Sequence, residues 1–141
     1  KRLPLLPGAV EEVRSLSERW PLAVASSSNR PVIDLVLELT AIADAFAVTV
    51  SSEEVGRGKP APDVYLEAAR RLGVAPDRCV AIEDSANGIR AADAAEMTVI
   101  AVPNREFPPD PESLRQAAKV LISLEELTPE LVLEVGGTSP D

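Results

Sequence analysis

Four short apolar runs, PLAVA (21–25), AFAVTV (45–50), CVAI (79–82) and TVIAV (98–102), each stop at a hydroxyl, an acid or a proline, and the stretches between them carry helical spacing. Apolar runs of this length without an alternating polar face belong to strands covered on both sides, and strands separated by amphipathic helices pair in parallel. Residues 7–19 place Val10, Val13 and Leu16 on one helix face, with Trp20 closing the stripe. A second helix starts at Pro31 with Val32, Leu35, Val36 and Leu39 at helical spacing. A third opens at Pro62 with Tyr65, Ala68, Ala69 and Leu72 inward and Gly73 as its stop, and a fourth, of small residues, runs from Ala86 to Glu96. Beyond Pro103 the pattern predicts a helical piece near 112–118, a fifth strand at KVLIS (119–123), a last helix over 129–135 and a frayed tail at 136–141. The expected class is α/β, a Rossmann-like doubly wound parallel sheet with helices on both faces, as one domain over residues 1–141.

In such a sheet every strand C-terminus lies on one edge, where ligands bind. The residues leaving those ends are Ser26, Ser27 and Ser28, then Ser51, Ser52 and Glu53, then Glu83, Asp84 and Ser85, then Asn104 and Arg105. Hydroxyls and acids therefore gather on one rim above apolar strand interiors.

What that rim can do is bounded by what the chain lacks. Fourteen Lys and Arg against 23 Asp and Glu give a formal charge of −9, and no basic cluster offsets it. Nucleic acid and anionic membrane faces are therefore excluded as partners, and an anionic ligand must be held by a few well-placed groups. There is no histidine, which removes imidazole acid–base chemistry, His metal sites and Ser–His or Cys–His pairs. Cys79 is the single cysteine, so no intramolecular disulfide forms, which fits a reducing cytoplasm. No apolar run reaches the length of a membrane span, and KRLPLLPGAV is too short and proline-rich for a signal peptide. Without an initiator Met, the chain is expected to be the remainder of something longer.

Three stretches carry the chemistry. In VASSSNRP (24–31) a hydroxyl leaves a strand just before a helix N-terminus, an arrangement that either cradles an anion, with Ser26 nearest the strand end, or supplies a cap from a serine or Asn29. In GRGKPAPD (56–63) Lys59 lies between glycines and two prolines just before a helix, where a cation opposes the helix dipole unless an anion lies between them. The alternative is a solvated loop lysine. Pro60 is expected to hold Lys59 extended. In CVAIEDSANGI (79–89) Glu83 and Asp84 repel at a strand end. Either they share a Mg²⁺ ion, which takes such hard oxygens along with substrate phosphate, or Asp84 or Ser85 caps the next helix. Together an alcohol, an ammonium and two acids make the parts for binding a phosphoryl group with its metal.

The ordered set of strand–Ser, GKPAPD and strand–EDS-x-x-GI-x-AA, with PGAVEEVRSL and VIAVP around it, resembles the haloacid dehalogenase superfamily over residues 5 to 105. It is most similar to the branch containing β-phosphoglucomutase and small sugar-phosphate phosphatases. The resemblance implies that Ser26 and Lys59 are catalytic, binding and steadying the transferring phosphoryl group, and that Asp84 and Glu83 hold Mg²⁺, with Asp84 the direct ligand. It also implies phosphate or substrate contacts from Ser27, Ser28, Asn29, Arg30 and Asn87, with Arg30 placed to meet a second phosphate if the reaction were that of a mutase.

Two departures qualify it. Glu96 in AAEM stands where the family has glycine, which predicts a local adjustment at that helix end. More consequentially, the family's nucleophile motif, DxDG, has no counterpart, since no DxD occurs in the chain, and neither does the helical cap that follows it. The resemblance places the strand bearing that motif centrally, between those carrying Ser26 and Glu83–Asp84. The expectation is an incomplete core domain, lacking first strand and cap, prone to self-association through its exposed sheet edges. Three functions follow as alternatives. One is a Mg²⁺-dependent phosphohydrolase of a small phosphorylated metabolite, such as a sugar phosphate, working through an aspartyl-phosphate whose Asp is missing. The second is a phosphomutase of the β-phosphoglucomutase kind. The third is a non-catalytic phosphate-binding or interaction module.

Overall fold

The computed structural model describes residues 9–136. Across them helices and strands alternate: α1 (Ala9–Ser17), β1 (Ala23–Ser26), α2 (Arg30–Thr40), β2 (Val48–Ser51), α3 (Asp63–Leu72), β3 (Val80–Glu83), α4 (Ala86–Ala94), β4 (Thr98–Ala101), α5 (Pro111–Leu114), β5 (Lys119–Val120) and α6 (Pro129–Gly136). The predicted order is reproduced, with shorter elements. β2 begins late because Ala43–Ala45 form a 3₁₀ turn. The helical piece expected near 112–118 is the single turn of α5, capped by Asp110, whose side chain accepts from the Ser113 N–H. The strand expected at KVLIS pairs over two residues only. Gly136 closes α6 instead of fraying, and 137–141 lie outside the described residues.

Strand alternation sorts the core into layers. Ala23 and Ala25 of β1, Val50 of β2, Ala81 of β3, and Val99 and Ala101 of β4 face α3 and α4, where Val64, Tyr65, Ala68, Ile89 and Ala92 are buried. On the opposite face Val80, Ile82, Ile100 and Val102 meet Leu16 of α1 and Val132 of α6, while Val24 packs with Ile33 and Leu37 of α2. Helices thus cover both faces.

The parallel strands fall into two sheets, β1–β2 and β3–β4–β5. Ser26 pairs with Ser51 at the top of the first, and Glu83 with Ala101 at the top of the second. The break falls between β1 and β3, where the resemblance puts a further strand. An apolar groove of about 760 Å³ runs along it, walled by Leu22 and Ala25 on one side, Val80 and Ile82 on the other, and Tyr65, Ala68 and Trp20 from the covering layers.

Three helices end in the left-handed region, α2 at Ala41 (φ 57°), α3 at Gly73 (φ 73°) and the turn after α4 at Glu96 (φ 66°). Gly73 meets that geometry without strain, whereas a side chain there is disfavoured. The adjustment expected at Glu96 is therefore a non-glycine residue held in a glycine conformation.

Candidate active site

At the C-terminal ends of β1 and β3 the break widens into a cleft of about 650 Å³ lined by Ser26, Ser27, Ser28, Lys59, Glu83, Asp84, Ser85 and Asn87. Residues far apart in the chain thus meet because parallel strands deliver their ends to one edge.

The serine wall is built from neutral donors. Ser26 Oγ accepts from the Ser28 N–H at 3.0 Å, which leaves its own hydrogen to donate elsewhere. The loop is pinned from β2: Ser51 Oγ donates to the Ser28 carbonyl at 2.7 Å, and Ser52 Oγ to the Ser27 carbonyl at 3.0 Å. Ser51 is fully buried, and its hydroxyl also accepts from the Glu53 N–H.

Two residues expected at the substrate are not brought to the cleft. Asn29 caps α2, its side chain accepting from the Val32 N–H at 3.0 Å. Arg30 turns outward. Its guanidinium donates to Thr49 Oγ1 (2.6 Å), the Thr49 carbonyl (3.0 Å) and the Glu54 carboxylate. The physical reason is charge: Glu54, Arg71 and Glu67 form a ladder along α3 and the end of β2, with Arg71 to Glu54 at 3.0 Å and to Glu67 at 2.7 Å, and Arg30 completes it. The Ser51 N–H first, and then the Arg30 and Arg71 guanidiniums, hold the Glu54 carboxyl down at about 2. Arg70 and then Arg71 do the same for Glu67, at about 2. The helix N-terminus read as an anion cradle is also occupied, because the Arg30 N–H donates to Glu53 Oε1 at 3.0 Å.

The opposite wall carries charge and is buried. Lys59, whose peptide to Pro60 is cis, donates from Nζ to Glu83 Oε2 at 2.6 Å, with the two side chains 11% and 7% exposed. This settles what answers the Glu83–Asp84 repulsion within the protein: an ammonium. Strand alternation explains why Glu83 is the partner. It shares the inward face with Ala81, whereas Asp84 follows the strand end. Tyr65, a residue whose helical spacing predicts only core packing, donates its hydroxyl to the same Glu83 oxygen. Burial, and then the Glu83 charge, push its phenol far above the usual range. The signal available in sequence was general: a buried tyrosine hydroxyl finds a partner.

Ser85 caps α4 by accepting from the Gly88 N–H at 3.1 Å. Asp84 is thereby released from that role and stands on the cleft wall, its carboxylate outside any side-chain hydrogen bond or ion pair among the described residues. No group of three or more His, Cys, Asp or Glu side chains assembles among the described residues. Mg²⁺ does not need one, since it is held by one or two carboxylates together with waters and substrate phosphate. The half-buried Asp84 carboxylate, unengaged by other described side chains and lining the same cleft as Ser26 and Lys59, fits it.

Residues 1–96 match the haloacid dehalogenase-like hydrolase family. The chain belongs to that family. Hexitol phosphatase B of Escherichia coli (strain K12) is 43% identical over 126 residues, covering 89% of this chain and 56% of its own. A solved haloacid dehalogenase family hydrolase from Deinococcus radiodurans R1, with bound phosphate and sodium, aligns at a TM-score of 0.78 and 36% identity over 96% of this chain and 62% of its own. A solved β-phosphoglucomutase from Clostridium difficile aligns at a TM-score of 0.79 and 28% identity over 94% and 56%. The chain thus spans 56% to 62% of the length of these three relatives. No described helix is long and apolar enough to cross a membrane.

Proposed function

We propose that these residues form the phosphoryl-binding part of a Mg²⁺-dependent phosphohydrolase. Its substrate is a small phosphorylated metabolite, a sugar phosphate, processed through an aspartyl-phosphate intermediate. The observation supporting this reading is the convergence of Ser26, Lys59 and Asp84 on one cleft at the strand C-termini. The similarity to hexitol phosphatase B makes hexitol phosphates the first substrates to test.

Each residue has a definite task. Ser26 offers its hydroxyl hydrogen to a phosphoryl oxygen. Lys59 spends one of its hydrogens on Glu83 and presents its charge to the transferring group, where fixed donors act on the developing negative charge. Asp84, and from the second row Glu83, would hold the metal. Mg²⁺ held by Asp84 would supply positive charge to an anionic ligand, against the chain's net charge of −9. The resemblance to the haloacid dehalogenase superfamily implies an aspartate nucleophile from a DxDG motif, and no DxD occurs among these 141 residues. Its place is a parallel strand seated in the groove between β1 and β3, bonding to both open edges and delivering its end between Ser26 and Asp84.

The outward turn of Arg30 favours a phosphatase over a mutase, because the side chain assigned to a second phosphate is engaged with Glu54 and Thr49. A single cysteine and this substrate class fit the cytoplasm. Without a strand in the groove, the free edges of β1 and β3 favour self-association of the isolated chain, read as a concentration-dependent mass in sedimentation; a monomer at all concentrations counts against it.

In the complete protein, Asp84→Asn removes Mg²⁺-dependent phosphate release from a hexitol phosphate while circular dichroism stays unchanged. Undiminished release from that variant overturns the assignment. Isomerisation of a hexose phosphate without phosphate release selects the mutase, and orthophosphate binding without turnover of any sugar phosphate selects the binding module.

A further inference from the structure

The Tyr65 ring is buried in the layer formed by α3 and α4, 7% exposed, and packs there as its helical position predicts. Its hydroxyl has a different partner. It meets Glu83 Oε2, the oxygen that also accepts from Lys59 Nζ at 2.6 Å, and the Lys59 ammonium lies 5.1 Å from the centroid of the Tyr65 ring. The carboxylate is also confined from behind: a Cβ on Gly88, in the first turn of α4, would overlap it. A loop, two helices and a strand therefore converge on one carboxylate.

An ammonium on a four-carbon stem has three equivalent donors and many rotamers, so a single ion-pair partner that itself pivots does not fix it. A carboxylate held by a second donor on the same oxygen, against a wall that leaves no space to rotate, does. We infer that Tyr65 is a positioning residue: its hydroxyl locks Glu83 onto Lys59, so that Glu83 sets the lysine and Asp84 alone takes the metal directly. This rests on the phosphoryl-site reading above and refines it. Strand alternation turns Glu83 inward and leaves Asp84 on the cleft wall, and the phenol holds the inward acid to its task.

The chain has a single tyrosine and three lysines, Lys1, Lys59 and Lys119, which makes the test clean. Tyr65→Phe keeps the ring, its packing and its contact with the ammonium, and removes only the donor. In ¹⁵N spectra of the lysine side chains the buried Lys59 ammonium is expected as a slowly exchanging signal, and Tyr65→Phe is expected to speed its exchange about tenfold. Titration with Mg²⁺ alone is expected to give an affinity within about twofold of the unsubstituted chain, and titration with orthophosphate in Mg²⁺ one about fivefold weaker. Asp84→Asn should do the converse, abolishing Mg²⁺ binding and leaving the Lys59 signal in place.

Unchanged Lys59 exchange in Tyr65→Phe overturns the inference and returns Tyr65 to a packing role. Loss of Mg²⁺ affinity in that variant overturns it as well, by showing that the orientation of Glu83 serves the metal. If orthophosphate binds none of the proteins while the Lys59 signal still responds to Tyr65→Phe, the positioning stands and the phosphoryl-site reading fails. Biosynthetic 3-fluorotyrosine keeps the native shape should Tyr65→Phe unfold. Its ¹⁹F resonance is expected to shift on Lys59→Met and not on Asp84→Asn, and the absence of a shift on Lys59→Met overturns the coupling.

Discussion

The two walls of the cleft hold polar groups in opposite ways. The β1–β2 wall presents neutral hydroxyls on a loop, with Ser27 and Ser28 exposed, pinned by two serine-to-carbonyl hydrogen bonds and backed by a charge ladder at the surface. The β3–α4 wall buries a lysine, a glutamate and a tyrosine hydroxyl on a single shared oxygen. Neutral donors tolerate water and can be distributed over many weak bonds. A buried charge must be compensated completely, so its wall behaves as one unit.

The largest test of that contrast is Glu83→Leu. It strands a lysine that is 11% exposed, and breaking such a pair costs about 3–5 kcal/mol, read by urea denaturation. Adding Lys59→Met and Tyr65→Phe should recover most of the loss, because an apolar trio then replaces the ionic one; no recovery would show that the wall is not a single unit. Ser51→Ala is expected to cost less, about 1–3 kcal/mol, by leaving the Ser28 carbonyl and the Glu53 amide without their buried partner. A neutral result there would mean that the serine loop holds its own shape.

Ser26→Ala sharpens the comparison from the other side. Stability should fall by no more than about 1 kcal/mol, the net worth of the hydrogen bond that the half-buried Ser26 Oγ accepts from the Ser28 N–H, while orthophosphate affinity in Mg²⁺ falls roughly tenfold or more. Equal losses in both measurements would contradict a hydroxyl whose main task is the ligand.

The smallest effect belongs to the surface ladder. The Glu54 carboxyl sits at about 2 when folded, below its ordinary 4.5, so its contribution is complete above pH 4.5 and is lost as the pH falls towards 2. The stability gap between the native chain and Glu54→Gln should therefore close on acidification through that window, and shrink in about 1 M salt. A gap independent of both pH and salt would remove the ladder as an electrostatic device.

Much of the fold was legible because its signals are local. The apolar runs, Pro31, Gly73 and the Ser85 cap each act within one turn or one strand, and parallel pairing then brings Ser26, Lys59 and Asp84 to the same edge without further information. Arg30 shows where this stops. Next to Ser28 and Asn29 it reads as a substrate contact, yet it pairs with Asp34 one helical turn on and, at shorter range, with Glu54, 24 residues away. The outcome was decided by an acid that local pattern does not connect to it. The gap in the sheet has a related origin: each strand is visible in the apolar pattern, but that pattern does not say whether β1 and β3 pair, and only the resemblance set a further strand between them.

The sequence alone determined which residues stand at the rim, because a strand's two-residue repeat and a helix's 3.6-residue repeat are properties of the backbone. Tertiary structure alone decided their partners: that Glu83 takes Lys59 from 24 residues away and the Tyr65 hydroxyl from 18, while Asp84 beside it takes neither. Long polar side chains choose among partners by desolvation and reach, and both are fixed only when the layers close around them.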